Sequence, residues 1–272
     1  MKNKIKIAFI GGGNMAHAIV SSMTSQVSRD VLKRNGDIFS ITVADKEEAQ
    51  LRRFNGVCEV TTDNAHAVNV SDYVFLCVKP QNAAAAIDPI RQLLKDKVVV
   101  SIMAGMNIDR LSEMTGASRI VCVMPNLNAR VGESYSVYSV RGDIDERVIQ
   151  VMLGSFGKFS RIDESRFDDV TGIAGSGPAF VFAAIKAFYD EAIARGFEKE
   201  QAHEMVYQTF FGSVLTAESA DCQLSDLISS VCSKNGTTIE GVTHLRDSGF
   251  ENILRTAIGK SISRSIEMGK QL

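Results

Sequence analysis

Long apolar runs are missing from this 272-residue sequence. None approaches the ~18 residues that span a bilayer, so no membrane segment is expected. The opening run Ile5 to Ile10 is short and interrupted by Lys6, unlike the apolar core of a secretory signal. Charge of one sign is missing as well. With 30 Lys and Arg against 32 Asp and Glu, the formal net charge is −2, which gives no reason to expect nucleic acid or an anionic membrane as partner. Cys58, Cys77, Cys122, Cys222 and Cys232 are odd in number, scattered and without a C-x-x-C pair. They read as reduced thiols rather than a disulfide framework. His17, His66, His203 and His244 show no metal-ligand spacing, so no metal is expected. Internal repeats, low-complexity segments and loose linkers are also lacking. What these absences leave is an ordinary globular composition, 45% hydrophobic and 23% charged, in a chain long enough for two domains and expected in the cytoplasm.

The most informative stretch is Lys6-Ile-Ala-Phe-Ile-Gly-Gly-Gly-Asn-Met-Ala16. Ile5 to Ile10 reads as a buried parallel strand, and Asn14 to about Thr24 as a helix. Between them Gly11, Gly13 and Ala16 fit the G-x-G-x-x-G/A dinucleotide fingerprint. Gly11 permits the tight turn, Gly13 lets a pyrophosphate approach the backbone, and Ala16 lets helix and strand pack closely. The phosphates would meet the free N–H groups and positive end of the new helix.

Further strand patterns follow. After a polar connection from Ser28 to Asp37, Ile38 to Ala44 reads as a strand with Asp45 at its end. An acidic side chain there accepts bonds from a ribose 2′-OH and repels a 2′-phosphate, favouring NAD(H). Two alternatives stand beside this: Lys46, Arg52 and Arg53 offer partners to a phosphate, and Asp45 also suits the cap of a helix starting at Lys46. Gly56 to Val60 suggests a short strand, with Asp63-Asn64 capping the next helix. Ser71 to Val78 is a buried strand stopped by Lys79-Pro80-Gln81. Asn82 to Leu94 reads as an alanine-rich helix, Lys97 to Met103 as a strand ending at Ala104-Gly105, Ile108 to Thr115 as a helix, and Ile120 to Met124 as a strand ending at Pro125-Asn126. Ser134 to Val140, Asp145 to Phe156 and Lys158 to Ile162 read as strand, helix and a last, shorter strand. Several strand ends in small or loop-forming residues predict an α/β fold, a Rossmann-like doubly wound sheet over residues 1–163.

After Asp163-Glu-Ser-Arg-Phe-Asp-Asp the pattern turns helical to the end, predicting an all-α domain over residues 164–272. Asp168 and Asp169 read as helix caps. The helix opened by Ser176-Gly-Pro178 is apolar on nearly every face and must be covered all round, which implies burial against a second copy. Between two later helices, Val231-Cys-Ser-Lys-Asn-Gly-Thr-Thr238 gathers hydroxyls and free amides at a helix N-terminus. Spacing alone leaves two readings: an anion site suited to a carboxylate, or a capping turn with no ligand.

Together, Ile10-Gly-Gly-Gly-Asn-Met-Ala-His-Ala-Ile19, Val78-Lys-Pro-Gln81, Ser101-Ile-Met-Ala-Gly105, Met124-Pro-Asn126, Thr171-Gly-Ile-Ala-Gly-Ser-Gly-Pro-Ala-Phe180 and Gly236-Thr-Thr238 resemble pyrroline-5-carboxylate reductase, in order along essentially the whole chain. The resemblance implies reduction of a small-molecule cyclic imino acid to proline with NADPH or NADH, and a helical domain that dimerises, with dimers often assembled into a decamer of five. It implies that Gly11, Gly12, Gly13, Asn14 and Met15 cradle the pyrophosphate, that Asn64 contacts the adenosine ribose, and that Val78, Lys79, Pro80 and Ala104 line the nicotinamide ribose. Ser233, Gly236 and Thr237 would hold the substrate carboxylate, and Thr238 would bond the imine nitrogen as the catalytic hydroxyl. Two departures mark this chain. Asn126-Leu-Asn-Ala129 stands where the family has Asn-Thr-Pro-Ala, and Ser233-Lys-Asn-Gly-Thr-Thr238 where it has Ser-Pro-Gly-Gly-Thr-Thr.

Three rival readings share parts of this pattern. A β-hydroxyacid dehydrogenase needs a lysine in G-x-x-G-x-G-x-x-x-K. Gly172, Gly175 and Gly177 fit, but the lysine position is Val181, which cannot transfer a proton. A reductase for another cyclic imino acid and a catalytically silent NAD(P)H sensor stay open.

Overall fold

The computed structural model describes residues 4–24 and 38–271. The polar connection expected from Ser28 to Asp37 lies outside the described residues. Strand β1 (Ile5–Ile10) is followed by helix Asn14–Thr24, β2 (Phe39–Ala44), β3 (Glu59–Thr61), β4 (Tyr73–Leu76), β5 (Val98–Ser101), β6 (Arg119–Met124), β7 (Ser134–Arg141) and β8 (Gly157–Arg161). They form one eight-stranded sheet in the order β3-β2-β1-β4-β5-β6-β7-β8.

Side-chain alternation on β1 shows why these residues make a two-sided sheet. Ile7 and Phe9 enter the core on one face, with Phe9 stacked on Phe75 at 4.7 Å, while Ala8 and Ile10 enter the core on the other. Residues Ile7 to Ile10 are all at most 1% exposed, so each large one contributes roughly 1.5–3 kcal/mol of burial.

The sheet is mixed rather than parallel throughout. Strands β1 to β6 are parallel to their neighbours, but β7 runs antiparallel to β6, and β8 parallels β7. The connection from β6 to β7 is a short loop with the 3₁₀ turn Leu127–Val131, too short for a crossover helix, so the chain can only reverse. Pro89 alters another expected element. The helix from Asn82 to Leu94 is divided into Ala83–Ile87 and Arg91–Leu94 by a 3₁₀ turn at Asp88–Ile90, because proline brings no N–H to the helical ladder.

From Glu164 the chain is helical, and its contacts divide it into two compact units: Met1–Ser176 with Lys260–Leu272, and Gly177–Gly259. In the second unit Gly177–Ala194 and Lys199–Ser219 pair around Ala192, Ala202 and Val206, with Phe188 edge-on to Phe210. Leu224–Val231 and Thr237–Asp247 follow, and the last helix is Phe250–Gln271. This small core leaves Val181, Phe182 and Phe188 more than half exposed. Among the described residues the stretch Glu164–Ala194 is, by length and composition, apolar enough to cross a membrane, although no uninterrupted apolar run is present.

The expected caps at Asp168 and Asp169 are corrected. Asp163 caps the first turn by accepting the Ser165 N–H. Asp168 instead accepts the Ser265 hydroxyl and Asp169 the Arg166 guanidinium. Between Phe167–Val170 and Gly177 the backbone forms a π-turn, Thr171–Gly175, a geometry that recurs at functional sites.

Candidate active site

The strand order reverses at β1 and β4. To one side of β1 the chain lays β2 and β3, then returns to lay β4 on the other, and the crevice at such a switch point is where doubly wound sheets bind ligands. Gly11 sits in it with φ +101°, and a Cβ there would lie 3.0 Å from the Cys77 carbonyl carbon and oxygen, so the close approach of the β1 and β4 ends requires glycine. Gly13 differs: a Cβ built there meets nothing within 4 Å. The space left open beside Gly13, at the start of helix Asn14–Thr24, is the shape that a pyrophosphate cradle demands. Ala16 is fully buried, as close packing of helix on strand requires.

A cavity of about 480 Å³ opens here and is lined by Gly11, Gly13, Asp45, Asn64, Val78 and Lys79 among others. Six residues expected to contact a dinucleotide therefore converge on one space. Gly12 faces away, its Cβ position against Phe54 and its N–H given to Asp45 Oδ2 at 2.7 Å. Asn14 begins the helix and accepts the Arg53 guanidinium, Met15 packs partly buried against the core, and Pro80 opens a 3₁₀ turn. Ala104 lines a separate cavity of about 320 Å³ with Gly105, Thr171 and Ser176.

Asp45 does not cap a helix starting at Lys46. The helix begins at Glu48, and Asp45 Oδ1 accepts the Glu47 N–H at 2.9 Å while its other oxygen holds Gly12. Leu51 and Phe54, buried within an otherwise charged stretch, press that segment onto the glycine turn. Their three-residue spacing was the signal that this stretch packs rather than loops. His17 also meets Phe54 edge-on; burial, then Arg53 and Arg130, hold its pKa below the usual value, so it is neutral at pH 7.

Asn126, at the end of β6, is buried and uses every polar group. Its amide NH₂ donates to the Ala174 carbonyl in the π-turn, its side-chain oxygen caps the Asn128 N–H, and its backbone N–H donates to Ser134 Oγ. Sequence reading saw a strand end here and missed this three-way tie. Cys122, on the same strand, has its thiol pushed up by burial and by Glu164 beside it, so it is no thiolate nucleophile.

The second cluster lies in the other unit. Gly236 is the N-cap of Thr237–Asp247 and no side chain caps that helix start, which leaves the first-turn N–H groups turned outward beside Thr237 and Thr238. A Cβ on Gly236 would fall 2.1 Å from Ser233 Oγ and 3.1 Å from its carbonyl oxygen, so a side chain there would displace the Ser233 hydroxyl. Asn235 has φ +59°, the left-handed conformation that asparagine tolerates and β-branched residues do not. Asparagine thus keeps the bend where the family pattern has glycine. Asn235→Gly is expected to leave kcat/KM within about 2-fold, while Asn235→Val, which costs roughly 1–3 kcal/mol of backbone strain, should raise KM for the imino acid. Steady-state kinetics of both variants check this.

Among the described residues no group of three or more His, Cys, Asp or Glu is arranged to hold a metal ion.

Residues 164–268 match the family model for pyrroline-5-carboxylate reductase dimerisation, and residues 6–105 one described as NADP oxidoreductase, coenzyme F420-dependent. The curated pyrroline-5-carboxylate reductase of Arabidopsis thaliana is 34% identical over 269 residues, 97% of this chain and 96% of that one. The chain belongs to the pyrroline-5-carboxylate reductase family. The Aquifex aeolicus reductase is 31% identical, covering 96% of each chain. Among solved structures, the Plasmodium falciparum pyrroline carboxylate reductase with NADP bound superposes with a TM-score of 0.87 at 27% identity, covering 99% of both chains. Membership makes the chain an NAD(P)H-dependent oxidoreductase of a family that homo-oligomerises, and the apolar surface of Gly177–Ala194 is what a dimerisation domain buries.

Proposed function

We propose that this chain reduces 1-pyrroline-5-carboxylate to L-proline with hydride from NADPH or NADH, the last step of proline biosynthesis. The observation that carries the reading is the open cradle at Gly13 in the 480 Å³ cavity, in a chain alike to these reductases along its whole length. The residues present fit a dinucleotide: the turn leaves room for phosphates, and Asp45 and Asn64 border the same space. When bound, the reduced nicotinamide supplies the hydride that adds to the imine carbon.

The chain's own residues have modest tasks. Gly13 to Met15 hold the pyrophosphate by backbone N–H groups at a helix start, while Gly11 and Gly12, whose own N–H groups go to the Ala44 carbonyl and to Asp45, shape the turn that admits it. Val78, Lys79, Pro80 and Ala104 orient the nicotinamide ribose, since hydride transfer demands near-contact geometry of about 3–3.5 Å. Ser233, Gly236 and Thr237 hold the carboxylate. A protonated imine is already electrophilic, so no strong acid is required; the Thr238 hydroxyl bonds the ring nitrogen as imine and then as amine.

We also propose that the dimers assemble as a ring of five and that the enzyme is cytoplasmic; its five cysteines, all free, suit a reducing compartment. The test is a mixture of protein, reduced nucleotide and pyrroline-5-carboxylate, followed by loss of the reduced nicotinamide's near-ultraviolet absorbance. Stoichiometric proline is the expected product. Leu127, nearly half exposed where the family pattern has threonine, is the reason to run a larger cyclic imino acid alongside. Turnover of neither imine would leave only a nucleotide-binding sensor.

A further inference from the structure

We propose that this chain selects NADH over NADPH, and that Asp45 is the selecting residue. The inference rests on the dinucleotide reading above. It runs against what the comparisons alone suggest, since the matched N-terminal family is described by NADP and the Plasmodium falciparum structure holds NADP.

The Asp45 carboxylate is fixed in place. One oxygen accepts the Gly12 N–H at 2.7 Å and the other the Glu47 N–H at 2.9 Å, so it cannot swing away from an arriving nucleotide. Each oxygen keeps a lone pair for a ribose hydroxyl, which donates. A 2′-phosphate offers only acceptors and about two negative charges, and nothing in its chemistry can satisfy a carboxylate.

The neighbouring charges decide whether cations override this. Asp45, Lys46 and Glu47, which follow β2, line the cavity with two carboxylates against one ammonium. Arg53, the nearest guanidinium, donates to Asn14 Oδ1 at 3.1 Å and to Gln50 Oε1 at 3.4 Å. Those bonds tie it to the helix start, and it does not line the cavity. Arg52 does not line the cavity. Lys79, after β4, lines the same cavity and brings the lining to two carboxylates and two ammoniums. A 2′-phosphate beside Asp45 would therefore meet a pinned carboxylate, flanked by Lys46 and Glu47, whose charges offset each other.

Isothermal titration calorimetry of NADH and NADPH onto the full chain, without imine, tests the claim and needs no intrinsic fluorophore in a protein lacking tryptophan. NADH should bind more tightly by on the order of tenfold or more. Asp45→Asn keeps an oxygen for the Gly12 N–H while removing the charge, and should narrow the gap by about tenfold, chiefly by improving NADPH. Glu47→Gln, which leaves the Asp45 lock untouched, should narrow it by less. Equal or tighter NADPH binding by the wild-type protein overturns the proposal and leaves the reductase reading standing. Equal loss of both nucleotides in Asp45→Asn at an unchanged melting temperature overturns it too, because Asp45 would then serve the glycine turn alone. No binding of either nucleotide overturns the dinucleotide reading itself.

Discussion

Gly13→Ala is expected to remain fully folded and to lose about 10- to 100-fold in affinity for the reduced nucleotide. The two halves of that expectation come from different observations. A Cβ at Gly13 meets no protein atom within 4 Å, and its φ is not among the left-handed ones, so the folded chain accommodates alanine. Reduced freedom of the unfolded chain would even stabilise the protein slightly, by about 0.4–1 kcal/mol. The empty space is nevertheless where a phosphate must come to reach the helix-start N–H groups. A methyl group there holds the phosphate off, and a hydrogen bond to a charged group is worth roughly 1.5–3 kcal/mol. Gly11→Ala serves as contrast: φ +101° and the 3.0 Å approach to Cys77 predict lost stability as well as lost binding. Calorimetric affinity and thermal melting, measured on both variants, separate site from scaffold. Unchanged affinity in Gly13→Ala would remove the cradle from the account.

The second large effect is expected at Thr238. Thr238→Ala should keep nucleotide affinity within about 2-fold and lose roughly 10²- to 10³-fold in kcat, the scale of removing one well-placed donor from a reacting group. Thr238 lies in the first turn of Thr237–Asp247, where no side chain caps the backbone, so its hydroxyl is not needed to hold the helix end. Stability should change by less than about 0.5 kcal/mol, the difference in helix propensity. Thr238→Ser restores the hydroxyl and should recover most of the rate. Wild-type turnover in the alanine variant would reject the role.

The sequence made the sheet legible wherever apolar runs end in glycine or proline. β1, β4, β5 and β6 are buried on both faces, so their side chains form unbroken runs, and Gly11, Pro80, Gly105 and Pro125 mark the edge at which they stop. The direction of β7 was not legible from its residues, since alternation is the same in either sense; only the short connection after β6 forces reversal. The π-turn at Thr171–Gly175 was hidden because its glycines resemble those of any loop, and the Asn126 amide that holds it arrives from 48 residues away. Asp45 was visible as an acid in the right place, but its bond to the Gly12 N–H depends on Leu51 and Phe54 folding the intervening segment back, a tertiary effect that local pattern cannot carry. The anion turn was legible in composition, whereas its survival without the family's second glycine depended on a backbone angle at Asn235.

The most direct test of the account follows the hydrogen itself. Pyrroline-5-carboxylate is incubated with this protein and NADH carrying deuterium at the transferable position of the nicotinamide, and the proline formed is examined by NMR. The account predicts one deuterium, on the ring carbon that began as the imine carbon. Proline without deuterium there, or no proline at all, would contradict it.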